Sequence, residues 1–122
     1  LIDSRGRQYR PKPKSVGENQ ILGEAISSGT VRGKVKVLHY PSEKIINKGD
    51  ILVAKATDPG WTPLFVNAEA IILEVGGPLQ HGALVAREYG KPCVSGVIDA
   101  TSKLKDGMEV EVNGDTGIIT FL

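Results

Sequence analysis

The chain has 122 residues, with 15 Lys and Arg against 14 Asp and Glu, for a formal net charge of +1. That is the length of one domain, able to bury roughly two-thirds of its unfolded surface, and its near-neutral charge gives no support for a nucleic-acid-binding face. The single cysteine, Cys93, excludes an internal disulfide, and no apolar run approaches the roughly 18 residues of a membrane span.

The N-terminal stretch "LIDSRGRQYRPKPKSVGEN" carries Arg5, Arg7, Arg10, Lys12 and Lys14 with Pro11 and Pro13, and lacks an apolar period. Residues 1–19 are therefore expected to be a basic linker or hinge arm, with a domain over 20–122. No secretory h-region is visible, so a cytoplasmic, reducing setting is expected. A start at Leu1 rather than methionine suggests a piece of something longer, or a processed product.

From Gln20 the pattern changes. Ile21, Ala25, Val31, Val35 and Val37 alternate with polar residues and are broken by Gly23, Gly29 and Gly33, which predicts short strands with glycine turns. A turn at Gly49-Asp50 leads into a strand over Ile51–Ala54. Asp58 followed by Pro59 predicts a capped helix start, with Trp61, Leu64 and Phe65 on one face. The run "AIILEV", Ala70 to Val75, fits a strand buried on both faces. A second helix is predicted over His81–Glu88, with Leu84, Val85 and Tyr89 as its apolar contacts, stopped by Gly90 and Pro92. "PCVSGV" predicts a strand and "ATSKLKDG" a helical turn. The last segment predicts a hairpin around Asn113-Gly114. The order is β-rich, then βαβαβ, then a hairpin: an α/β class with much β structure.

The familiar chemical signatures are missing. The sequence has no GxxxxGK[ST], no GxGxxG after a strand, no HExxH, no CxxC and no GxSxG. No metal ligand set is expected. What remains is Gly76-Gly77-Pro78-Leu79-Gln80-His81-Gly82-Ala83. Gly76 and Gly77 permit unusual backbone angles and close approach. His81 then opens a helix, where unpaired amides and the helix dipole favour an anion, phosphate above all. The same partial charge disfavours imidazolium and leaves a nucleophilic ring. Physics alone leaves two readings open: a helix cap that happens to be histidine, and a histidine that carries a phosphoryl group on nitrogen.

The stretch "GGPLQHGALVAREYGKPCVSGV" resembles the phosphohistidine signature of the phosphoenolpyruvate-utilising enzymes, through Gly76, Gly77, His81, Ala83, Val85, Ala86, Arg87, Gly90 and Pro92. "TDPGWTPLF", from Thr57, resembles an upstream motif of phosphoenolpyruvate synthases and rifampin phosphotransferases, and "DATSKLKDGMEVEVNGDTGII" resembles their downstream segment. The resemblance implies a swivelling β/β/α phosphohistidine domain. In such a domain His81 is the catalytic nucleophile, with Gly76, Gly77, Gly82 and Ala83 supporting the phosphate and Thr57 and Arg87 as accessory candidates. It further implies a phosphoenolpyruvate synthase-like reaction, ATP, pyruvate and water giving phosphoenolpyruvate, AMP and phosphate. ATP and Mg2+ would be held by partner domains of the same enzyme, which include an ATP-binding domain and an acceptor domain. This chain would hold no cofactor and catalyse nothing alone. The arm would be the hinge.

Two positions depart from the family. Leu79 stands where many relatives have threonine, which in pyruvate phosphate dikinase is a regulatory site. Gly82 stands where many synthases have alanine or serine. Both departures point to the rifampin phosphotransferase branch as the alternative, beside a stand-alone carrier or a non-catalytic swivelling module. Resemblance favours phosphorylation at Nε2, a choice that hydrogen bonding to Nδ1 decides. Elsewhere, His39 is expected at a strand end on the surface, Cys93 and Trp61 in the core, and Arg87 facing phosphate, a partner domain or solvent.

Overall fold

A computed structural model describes residues 19–77 and 80–122. The expected arm, Asn19 apart, and the departure at Leu79 lie outside the described residues.

Among the described residues, eight strands form one sheet. They are β1 (Gln20–Leu22), β2 (Glu24–Ser27), β3 (Thr30–Val37), β4 (Asp50–Ala54), β5 (Ala70–Leu73), β6 (Cys93–Ser95), β7 (Glu109–Asn113) and β8 (Ile118–Phe121). Three α-helices accompany them: α1 (Thr62–Asn67), α2 (His81–Tyr89) and α3 (Ala100–Lys103). The spatial order is β1-β8-β7-β3-β4-β5-β6-β2. β3, β4, β5 and β6 run parallel, and the remaining pairings are antiparallel. The expected β-rich start, βαβαβ centre and terminal hairpin are all present.

The two ends of this order are consecutive in the chain. β1 pairs with β8 and β2 pairs with β6, yet only Gly23 separates them. One bent segment therefore serves both edges and rolls the sheet onto itself, which leaves no long open edge. Glycine is required at the crossing. The Gly23 amide donates to the Gly117 carbonyl at 2.8 Å, and a Cβ on Gly117 would stand 2.4 Å from the Gly23 oxygen.

The rolled sheet has two apolar faces. Val35, Val37, Ile51, Val53, Ile72, Val110, Val112 and Ile119 point to one. Leu52, Ala54, Ile71, Leu73 and Cys93 point to the other, where Trp61 and Phe65 of the α1 region and Val85 and Ala86 of α2 cover them. Period-2 side chains that are apolar at every position need cover on both sides. That explains the unbroken runs in β4 and β5.

Several expectations need correction. Gly33 is no break; it lies inside β3, where a Cβ would stand 2.3 Å from the Gly49 carbonyl oxygen. Asp58 caps a 3-10 turn, Pro59–Trp61, that runs on into α1. On α2, Leu84 and Tyr89 are 46% and 41% exposed, whereas Gly82, Ala83, Val85 and Ala86 face the sheet. Small residues let this short helix approach the strands closely. The hairpin loop spans 114–117 rather than two residues, and Asn113 Oδ1 accepts from the amides of Asp115 and Thr116.

Past β5, Glu74 Oε1 accepts from the backbone amide of Thr101 at 3.1 Å and from its hydroxyl at 2.7 Å. These bonds tie α3 to the end of β5, and they hold the Glu74 carboxyl below its ordinary range. A depressed carboxyl contributes stability above its unfolded pKa and loses it as pH falls through the folded value. Urea melts across the acid range should therefore show a steeper loss below pH 5 in the wild type than in Glu74→Gln, and identical acid limbs would refute the linkage. Separately, Gly117 has φ +80° and no room for a Cβ. Gly117→Ala should lower unfolding free energy by about 1–3 kcal/mol, read from the shift in urea midpoint.

Candidate functional site

Residues that enter the carboxyl edge of parallel strands emerge together, and ligands of open α/β sheets gather at such edges. Here Thr57 follows β4, the pair Gly76-Gly77 follows β5, and Gly96 follows β6. α2 starts at the same edge. The sequence order thus becomes a spatial cluster.

Each local conformation has a cause. Asp58 is extended, and its Oδ1 accepts from the Gly60 amide at 2.9 Å. That capped turn fixes the chain just past Thr57. Gly77 has φ +119°, a region that L side chains rarely adopt. Gly76 is needed for a different reason. Its backbone packs on Gly96, whose Cα would lie 3.2 Å from a Cβ at position 76. The Gly77 carbonyl accepts from the Gln80 amide at 3.3 Å, and the Gln80 carbonyl from the Leu84 amide at 3.1 Å. Gln80 is the N-cap, without a side-chain cap bond, and His81 is the first helical residue. Gly90, at φ +70°, closes the helix as expected.

The His81 ring is half-buried, and Phe65 meets it edge-on with ring centroids 6.3 Å apart and planes at 84°. Its Nδ1 lies 3.0 Å from Thr57 Oγ1. The two residues are 24 positions apart in sequence and are brought together by the β4–α1–β5–α2 path. Gly82 makes this approach possible: a Cβ there would stand 2.9 Å from Thr57 Oγ1 and 2.7 Å from Leu73 Cδ1. Ala83 is fully buried against the sheet side of α2.

The other candidates are placed as follows. Arg87 is exposed on α2, and its Nε donates to the Ile26 carbonyl of β2 at 3.3 Å. Cys93 is buried, and desolvation pushes its thiol up to about 12. His39 is on the surface, where its ring and amide meet Glu43. Trp61 is in the core. Among the described residues, no group of three or more His, Cys, Asp or Glu could hold a metal ion, and no helix is long and apolar enough to cross a membrane. One residue that sequence reasoning missed joins the cluster. Glu24 Oε1 accepts from the Gly77 amide at 3.2 Å and from the Ser95 hydroxyl at 3.4 Å.

The fold agrees with what is found among known proteins. Residues 46–117 match the family described as "PEP-utilising enzyme, mobile domain", and the chain belongs to that family. The rifampicin phosphotransferase of Bacillus cereus is 45% identical over 111 residues, which is 91% of this chain and 13% of that protein. The phosphoenolpyruvate synthase of Aeropyrum pernix is 46% identical over 113 residues, 89% of this chain and 14% of that protein. The chain thus corresponds to a small part of each relative's length. Among solved structures, aconitase X of Thermococcus kodakaraensis in its holo-form superposes with a TM-score of 0.65 at 26% identity, covering 84% of this chain and 98% of that one.

The Thr57 contact yields a direct test. Thr57→Val keeps the shape but removes the hydrogen-bond partner of Nδ1. Nitrogen-15 spectra of the His81 ring should show the tautomer that bonds Oγ1 losing population against the other, by the worth of one hydrogen bond, ~1 kcal/mol. An unchanged tautomer ratio would mean that the contact does not orient the ring.

Proposed function

We propose that this chain is the phosphoryl-carrier domain of a phosphotransferase, and that His81 carries the phosphoryl group between two other domains of the same enzyme. The observation that carries the reading is the 3.0 Å contact between Thr57 Oγ1 and His81 Nδ1 at the start of α2. When Nδ1 bears the proton and donates it to the threonine oxygen, the lone pair of the ring lies on Nε2. Nε2 then attacks phosphorus, the N–P bond forms, and the P–O bond to the donor breaks. Edge-on support from Phe65 and the grip on Nδ1 orient the nucleophile. The first amides of α2 favour the anion that arrives.

The donor is ATP with Mg2+, both held by a partner domain, and the acceptor domain is a separate unit. The chain contributes the histidine, and residues before Gln20 act as the hinge between stations. The first reading of the acceptor is pyruvate, as in a phosphoenolpyruvate synthase. The second is an antibiotic hydroxyl, as in a rifampicin phosphotransferase, and Gly82 favours it: the sequence there departs from many synthases, and the glycine admits the Thr57 hydroxyl. Relatives bearing both names match this chain to a similar degree.

The intact protein, given radiolabelled ATP and Mg2+, should take label on His81. The label should be acid-labile and base-stable, as phosphorus on nitrogen is. His81→Gln should retain the fold, with a stability change of at most about 1 kcal/mol. It should lose the label, because a carboxamide nitrogen is no nucleophile. Labelling of His81→Gln at the wild-type rate would sink the carrier reading. Chasing the labelled protein with pyruvate or with rifampicin separates the two acceptors.

A further inference from the structure

Glu24 lies 53 residues before Gly77 and on the closing strand, yet its carboxylate reaches the turn ahead of His81. In the β2–β6 pairing Glu24 stands opposite Ser95, whose side chain is fully buried. Opposed residues of an antiparallel pair share a face, so the carboxylate is directed along Ser95 toward the end of β6. There it meets a gap left by glycines. A Cβ on Gly76 would lie 3.4 Å from Glu24 Oε1, and a Cβ on Gly96 would lie 3.5 Å from Glu24 Cγ and Cδ. Those separations are ordinary van der Waals contact, so the carboxylate lies directly beside both glycines. One of its oxygens accepts from both the Gly77 amide and the Ser95 hydroxyl.

From Gly77 the restraint passes onward. The Gly77 carbonyl takes the Gln80 amide, and the Gln80 carbonyl takes the Leu84 amide in the first turn of α2. An exposed carboxylate ordinarily gains little from a single contact. Here it satisfies a buried hydroxyl and an amide of a turn whose φ is +119°. The same two bonds connect the segment that closes the sheet with the loop that presents His81.

We propose that Glu24 is a positioning residue for His81: as a hydrogen-bond acceptor, it holds Gly77, whose carbonyl takes the Gln80 amide at the start of α2. The proposal rests on the carrier reading of His81 and adds to it a residue outside the phosphohistidine signature. It also assigns a use to the Gly76, Gly77 and Gly96 cluster that differs from direct phosphate contact, since the Gly77 amide is engaged by the protein's own carboxylate.

The test uses the intact protein and two readouts. Hydrogen-exchange mass spectrometry follows the peptide from Val75 to Gln80, and radiolabelled ATP follows phosphorylation of His81. Glu24→Ala should speed exchange of that peptide and slow labelling, each roughly three- to tenfold, the worth of an ordinary hydrogen bond. Glu24→Gln retains a carbonyl oxygen of the same reach and should stay within about twofold of wild type in both. Should Glu24→Ala fail to fold, Glu24→Asp, one methylene too short, replaces it with the same expectation. The proposal is overturned if Glu24→Gln behaves like Glu24→Ala, if Glu24→Ala leaves the exchange unchanged, or if it speeds labelling. A wild-type protein that takes no label defeats the carrier reading instead, while the exchange contrast still judges Glu24.

Discussion

Burial of β4, β5 and β6 on both faces is the constraint from which the site follows. Leu52 and Ile71 are as fully buried as Ile51 and Ile72, though they point the opposite way. Strands of this kind have no face on which to carry exposed polar groups. Polar side chains are displaced to the strand ends, and because the three strands run parallel, their carboxyl ends lie together. Thr57, the glycine pair, Gly96 and the start of α2 are neighbours for that reason.

Closure of the sheet through Gly23 adds a second consequence. A strand shared by two edges cannot move at one edge without disturbing the other. Glu24 is the next residue after that crossing, and its carboxylate is bonded to the turn before His81. The turn is thereby braced from β2 as well as from β5. Under the proposed carrier role, such bracing would hold His81 in one geometry at both stations, where a small misplacement of the nucleophile has a large kinetic effect.

Sequence reasoning reached the parts of this arrangement that local chemistry dictates. The unbroken apolar runs in β4 and β5 mark strands covered on both sides, and Gly90 with Pro92 marks the end of α2. His81 stands out because glycines precede it and a helix follows. Thr57 was reached only through a resemblance, since nothing in its spacing announces a contact 24 residues away. Glu24 escaped altogether. Its contact depends on the β2–β6 register, and that register depends on how the sheet closes. Gly33 was misread because a glycine required by close packing inside a strand looks the same in sequence as a glycine in a turn. For Leu84 and Tyr89 hydrophobicity predicts burial, but small size decides which face of α2 meets the sheet. Ala83 and Ala86 bury the helix by letting it come close.

The likeness to aconitase X shows how far the fold alone carries function. That chain, an aconitase X, is matched over 98% of its length, so the architecture alone assigns no activity. The local features of the present chain are an imidazole at the first position of a nine-residue helix, with its Nδ1 at a threonine hydroxyl and a phenyl ring in T-shaped contact. A histidine serving only as structural filler gains most from complete burial and two satisfied nitrogens. His81 is half-buried instead. Its ring is supported from within by Phe65 and Thr57 while remaining partly open to solvent. A nucleophile that must meet a donor and then an acceptor has the same requirement, since neither partner can reach an enclosed ring and an unsupported ring would lose its aim. A half-buried imidazole held at Nδ1 satisfies both demands at once, in keeping with the carrier role proposed for His81.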